Sequence, residues 1–364
     1  MSGGLMQLVA YGAQDVYLTG NPMITYFKVV YRRHTNFAIE SIQQSFNSNA
    51  DLGTTVSALI SRNGDLIGPV YLQATLPSLS GNTSRWIDNV GHFLIREVSL
   101  EIGGQLIDTH YGDWLEIWSQ LTVPAGHRVG YLNMIGQDPV DPFGRLTGLQ
   151  SHVLDGTIPS RTIYVPLQFW FCRNQGLALP LIALQYHEVK INLTFEDFSN
   201  LVRGTHPTAS TNGGLTDVSL WVDYYYLDSE ERRRFAQISH EYLIEQVQLT
   251  KGSLTCSTNR LDPTSLPLIS VKLDFNHPVK ELVWVIKNTS LSDQCPNNYT
   301  SVAALPVVEQ KGAGLIGGLT NGLQDIKSQA SLTELVGGST TDPPGGSNPI
   351  ISAKLLLNGH DRFS

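Results

Sequence analysis

The chain predicts an all-β protein built from two β-sandwich units in tandem, the second shorter than the first. Three observations carry this. Runs rich in aromatic and β-branched residues recur along the sequence. Glycine and proline, 33 and 18 of 364 residues, cut those runs with turns. Three patterns from the first half return in the same order in the second.

Composition narrows the function. A net charge of −8 and a pI of about 5.7 argue against a protein whose main work is gripping phosphates, so no direct nucleic-acid binding is expected. The opening MSGGLMQLVAYGAQDVYL has neither a basic start nor a long apolar core, unlike a secretory signal. No later stretch reaches the roughly 18 apolar residues of a membrane span. Cys172, Cys256 and Cys295 are far apart and odd in number, which fits a reducing compartment better than a disulfide framework, with Cys172 as a small buried hydrophobe.

Residues 1–36 read as an N-terminal arm, punctuated by Gly3-Gly4, Gly12 and Thr19-Gly-Asn-Pro22 and carrying the apolar run Met23–Tyr31. Such a segment must cover either its own domain or a neighbouring subunit. The first sandwich follows over 37–228, with strands expected at Ala38–Phe46, Leu66–Leu76, Phe93–Ile102, Arg161–Cys172, Ala183–Phe195 and Ser219–Leu227. Turn chemistry separates them at Arg62-Asn-Gly-Asp65, Ile102-Gly-Gly-Gln105 and Thr211-Asn-Gly-Gly214. One helix interrupts, Tyr111–Leu121, where Trp114, Leu115, Trp118 and Leu121 recur at helical spacing and are expected in the core. Residues 124–160, rich in proline and glycine, read as a long loop.

Trp221–Leu249 joins the units as strand, short helix and strand. Trp221–Leu227 is the strand. A helical hinge spans 229–240, with Asp228 as its cap, Glu231 three residues on and Arg232, Arg233 and Arg234 following the acids, an order that suits the helix dipole. The arginines read as a solvated face. From His240 strand alternation resumes, with Leu243, Glu245, Val247 and Leu249 on one side.

The second unit spans 241–364. Ala38–Gln44 resembles Tyr242–Gln248, Gly68–Ala74 resembles Asn276–Val283, and Val98–Asp108 resembles Ala353–Asp361, each of the last pair ending a strand at a glycine turn. The second copy carries a longer insertion, Asn288 to Pro349, and stops almost at once after Gly359, whereas the first runs on to Leu227. The expectation is an incomplete copy of a longer protein, or a second unit completed by another polypeptide.

Enzyme chemistry finds no support. The ten histidines include no His-x-His or His-x-x-x-His pair for a metal, and no cofactor is implied. His110 near Asp113 and His187 beside Glu188 read as loop or strand-surface residues. Gly312–Gly318 is glycine-rich but lacks the Gly-Lys-Ser/Thr of a phosphate loop. Nothing in the sequence brings Cys172 and His187 together as nucleophile and base. Asn82, Asn288 and Asn298 each open an Asn-x-Ser/Thr triplet in a loop and are the candidate glycosylation sites; Asn192 opens one inside an expected strand.

Several stretches resemble the major capsid proteins of nucleocytoplasmic large DNA viruses. They are Leu8–Pro22, Phe27–Phe37, the hinge Glu230–Phe235 with His240–Ile244, Asn276–Trp284 and the closing Leu357–Phe363. The resemblance implies two tandem eight-stranded jelly rolls, the second incomplete here, and a homotrimer forming a capsomer of hexagonal outline in an icosahedral shell. It implies as partners the chain itself, neighbouring capsomers and minor capsid proteins beneath the shell, with any internal membrane touched only indirectly. The location implied is the virion, after assembly in the host cytoplasm. The alternatives are a sparse variant capsid subunit, or a carbohydrate- or receptor-binding sandwich using loops 77–92, 124–160 and 288–349.

Overall fold

The computed structural model describes residues 12–13, 35–80, 85–137, 157–203, 214–252, 270–287, 354–357 and 360–363. The arm apart from its last two residues and Gly12-Ala13, the insertion after Lys287, and Asn82, Asn288 and Asn298 lie outside them.

Among the described residues eight strands of five residues or more build the first unit: β1 Phe37–Gln44, β2 Thr55–Leu59, β3 Leu66–Leu76, β4 Ile95–Ile102, β5 Gln105–Tyr111, β6 Arg161–Pro166, β7 Val189–Phe195 and β8 Thr216–Leu227. One sheet runs β1-β8-β3-β6, with Leu179–Pro180 adding to β3; the other runs β2-β7-β4-β5. Every neighbour is antiparallel. The pairs β1–β8, β2–β7, β3–β6 and β4–β5 are those of one long hairpin whose tip is the β4–β5 turn. Rolled up, that hairpin divides its ladder between two sheets, and β8–β3 and β7–β4 close them. This is a complete eight-stranded jelly roll.

Alternation explains the strands. Val70, Leu72, Ala74 and Leu76 of β3, and Val189, Ile191, Leu193 and Phe195 of β7, are buried while the residues between them are half-buried. The two inner faces meet in a single apolar core. Tyr224 is fully buried and its hydroxyl donates to the Ser61 carbonyl at 2.6 Å, so burial leaves no unpaired polar group there. At the tip, Gly103 (φ 61) and Gly104 (φ 80) take the two left-handed positions of a tight hairpin turn, and a Cβ on Gly103 would lie 2.5 Å from His187 Nδ1.

Six differences from the expected elements have physical causes. β2 and β5 have no counterpart among the expected strands. β2 is only five residues long, too short for its buried Val56 and Ala58 to stand out, and β5 turns Asp108 and His110 inward, so it shows no apolar alternation. Phe93 belongs to helix α1, Val90–Leu94, which Asn89 opens at φ 54 and which Gly91 N fastens to the Ile135 carbonyl. The strand expected to reach Cys172 stops at Pro166, and Trp170–Arg173 forms a helical turn, α4. Ala183–His187 is a chain of turns, so its strand begins only at Val189. The expected loop 124–160 opens with helix α3, Ala125–Met134, after helix α2, Gly112–Thr122. Gly126 and Gly130 hide it in the sequence, and Pro124 starts it with its fixed φ of −61. Residues 241–252 and 270–287 form no ladder; among the described residues beyond the hinge, only Leu355–Leu357 and His360–Phe363 pair as strands.

Candidate assembly surface

Three groups of polar side chains brace parts of the described structure. Among the described residues no three His, Cys, Asp or Glu groups gather as a metal site. Cys172 is half-buried with its thiol enclosed beside the Gly68 carbonyl, and burial pushes that thiol up to about 12, the inert behaviour of a structural cysteine.

The first brace joins α1, α2 and α3. His92 Nδ1 lies 2.7 Å from Glu116 Oε2, Asn89 Nδ2 and Gln120 Nε2 each donate to Glu116 Oε1 at 2.9 Å, and His92 Nε2 meets the Tyr131 hydroxyl at 2.8 Å. A carboxylate only accepts, so Nδ1 carries the proton. His92 and Glu116 are 0% and 2% exposed. Burial pushes the Glu116 carboxyl up, but the bonds from His92, Gln120 and Asn89 outweigh it and hold it below its usual range. The Tyr131 hydroxyl is raised by its burial and then by the Glu116 charge. Helix α2 forms where its apolar spacing predicts, but its inward face is Leu115, Glu116 and Ser119; Trp114 and Trp118 stack at 5.4 Å while half-buried, and Leu121 is exposed. The expected tryptophan core is corrected: the glutamate is drawn inward by donors on α1 that spacing within α2 cannot show.

The second brace holds the hinge, helix α6, Ser229–Gln237, which follows the short helical turn α5, Phe198–Leu201. Asp228 caps it by accepting from Ser229 N at 2.7 Å. Asp65, buried at the end of the turn before β3, accepts from Leu227 N and from Arg232 Nε, both at 2.8 Å. Arg232, Arg233 and Arg234 are all exposed, as expected of a solvated face, and Arg232 in addition reaches Asp65. Asp65→Ala strands the Leu227 amide and is expected to cost about 1.5–3 kcal/mol, read as a urea midpoint. Arg232→Gln, at the exposed end of the pair, is expected to cost under about 1 kcal/mol.

The third brace is at β5, where His110 is fully buried rather than on the surface: its ring stacks on Phe169 at 4.7 Å, and Nε2 lies 2.9 Å from Asp108 Oδ2. His187 lies in an exposed turn, as expected, and donates its backbone N–H to the Leu184 carbonyl. Asn192 is occupied inside the ladder, its amide donating to Glu101 Oε1 at 2.8 Å.

Large apolar side chains stand exposed after the hinge, among them Leu243, Val279 and Trp284, each at least 60% exposed. So do Phe37 and Ile39 on β1, an edge strand. Faces of this kind mark contact surfaces.

Comparison with known proteins agrees with this arrangement. Residues 25–228 match the family model of the major capsid protein N-terminus, and residues 231–364 match that of the large eukaryotic DNA virus major capsid protein. The major capsid protein of Phaeocystis pouchetii virus is 43% identical over 438 residues, spanning 100% of this chain and 82% of that protein. That of Pyramimonas orientalis virus is 54% identical over 289 residues, spanning 79% of this chain and 66% of that protein. Among solved structures, PBCV-1 VP54, a crystal structure fitted into a reconstruction of the virophage Sputnik, aligns with a TM-score of 0.52 at 43% identity, over 62% of this chain and 50% of that one. The same figures hold for a quasi-atomic model of the PBCV-1 virus capsid. The chain thus spans half of the solved chains it aligns with. It belongs to the family of major capsid proteins of large eukaryotic DNA viruses, a structural family and not an enzymatic one.

Proposed function

We propose that three copies of the full-length protein form a capsomer of hexagonal outline that tiles an icosahedral shell. The observation that carries this is the jelly roll followed, after a braced hinge, by a chain repeating its sequence landmarks. The Leu355–Leu357 and His360–Phe363 hairpin falls where the repeat puts the counterpart of β4–β5, which supports a second roll over 241–364. Two similar lobes per chain give six per trimer, a shape that packs against neighbours with near-equivalent contacts. Minor capsid proteins beneath the shell, assembly in the host cytoplasm and only indirect contact with a membrane complete the reading. The acidic balance supports a shell that leaves DNA to other proteins. We further propose Asn82, Asn288 and Asn298 as the sugar acceptors.

Native mass spectrometry with electron-microscope imaging of the purified full-length protein tests this. Three-fold particles of hexagonal outline that associate into sheets are expected. A monodisperse monomer that binds or cleaves glycans would overturn the reading, and an intact mass equal to the bare chain would remove the sugars from it.

A further inference from the structure

Among the described residues strand β5 ends its sheet and pairs with β4 alone, so one row of its backbone groups faces away from the ladder. A bare edge of this kind invites strand addition by another chain. Here residues 246–251 lie along it in the same direction. Gln246 Nε2 donates to the Ile107 carbonyl, Val247 N donates to Asp108 Oδ1 at 3.0 Å, and the Lys251 ammonium sits 5.5 Å from the centre of the Tyr111 ring. The residue before them is gripped as well: Arg173 Nη1 meets Glu245 Oε2 at 2.9 Å, and Lys280 meets the other oxygen.

We propose that Asp108 and Arg173 form an anchor that locks the start of the second unit onto the β5 edge, making the link between the units rigid and closing that edge to other chains. Both residues are prepared for it. Arg173 Nε donates to the Gln168 carbonyl at 3.0 Å and its guanidinium lies 4.1 Å above the Trp118 ring, so little side-chain freedom remains to be lost on docking. The Asp108 side chain is 0% exposed. Its Oδ2 lies close to His110 without the alignment of a hydrogen bond, and its Oδ1 receives Thr109 N and Val247 N. A buried carboxylate needs donors, and undocking takes away the one that, among the described residues, comes from outside β5. With Asp65 holding the hinge helix at its start, the connection is fixed at both ends of α6.

The test is amide hydrogen exchange on the full-length protein, with Asp108→Ala and Glu245→Gln as variants. The wild-type Val247 amide, which donates to Asp108 Oδ1, is expected to be protected, and both variants to exchange it roughly tenfold faster or more while β8 amides stay unchanged. Sedimentation at rising concentration is expected to show new self-association in Asp108→Ala, the edge being uncovered. Exchange of the Val247 amide at an unstructured rate in the wild type, or unaltered protection in Glu245→Gln, would overturn the anchor. Glu245 faces solvent in part, so that variant keeps the test decisive if Asp108→Ala loses β8 protection through misfolding.

Discussion

Glu116→Ala is expected to destabilise the first roll by about 3–5 kcal/mol, since each buried donor left without an acceptor costs about 1–3 kcal/mol. The substitution leaves the buried His92 and Asn89 Nδ2 without their acceptor, while Gln120, an exposed residue, loses a partner that water can replace. Equilibrium urea unfolding checks it, and a loss under about 1 kcal/mol would contradict the burial. The same group sets an acid dependence. Its folded carboxyl is held below the ordinary 4.5, so its stabilising contribution is fully present above that value and disappears as pH falls through the lower, folded one. The wild type is therefore expected to lose stability on acidification below about pH 4.5 more steeply than Glu116→Ala. Parallel pH profiles would show that the carboxylate does not carry the effect.

Phe169→Ala is expected to cost a comparable amount, about 3–5 kcal/mol. Phe169 is 0% exposed and sits between the His110 ring at 4.7 Å and the Phe171 ring at 5.9 Å. Removing it opens a cavity against His110, the inward histidine of β5. Phe169→Leu keeps most of the volume and is expected to cost under about 1.5 kcal/mol. Urea midpoints of the two variants, compared at the same slope, separate cavity from shape; equal losses would mean that stacking and not volume is what Phe169 contributes.

Much of the first roll was legible because its strands are two-sided. β3 falls at Leu66–Leu76 as expected, since Val70, Leu72, Ala74 and Leu76 announce a buried face by themselves. The glycine pair at 103–104 announces its turn because both positions need positive φ. β5 was not legible, because its inward residues are Asp108 and His110 and the apolar signal vanishes where polar groups are buried in pairs. The face of α2 was misread for the same reason: Glu116 looks like a solvent residue until Asn89 and His92 are brought to it. The bracing roles of Asp65, Asp108 and Arg173 had no local signal at all, since each acts on a residue far along the chain.

The sequence by itself determined the all-β class, the turns, the hinge helix and the repeated landmarks, because alternation, glycine conformation and capping are properties of neighbours in the chain. Only the tertiary structure decided which strands lie side by side and which charges are enclosed. Every antiparallel ladder offers the same backbone bonds, so β1 finds β8, from Phe37↔Leu227 to Gln44↔Leu220, only when two apolar faces close on one core. That closure is also what turns a carboxylate into a brace, by removing the water that would otherwise satisfy it.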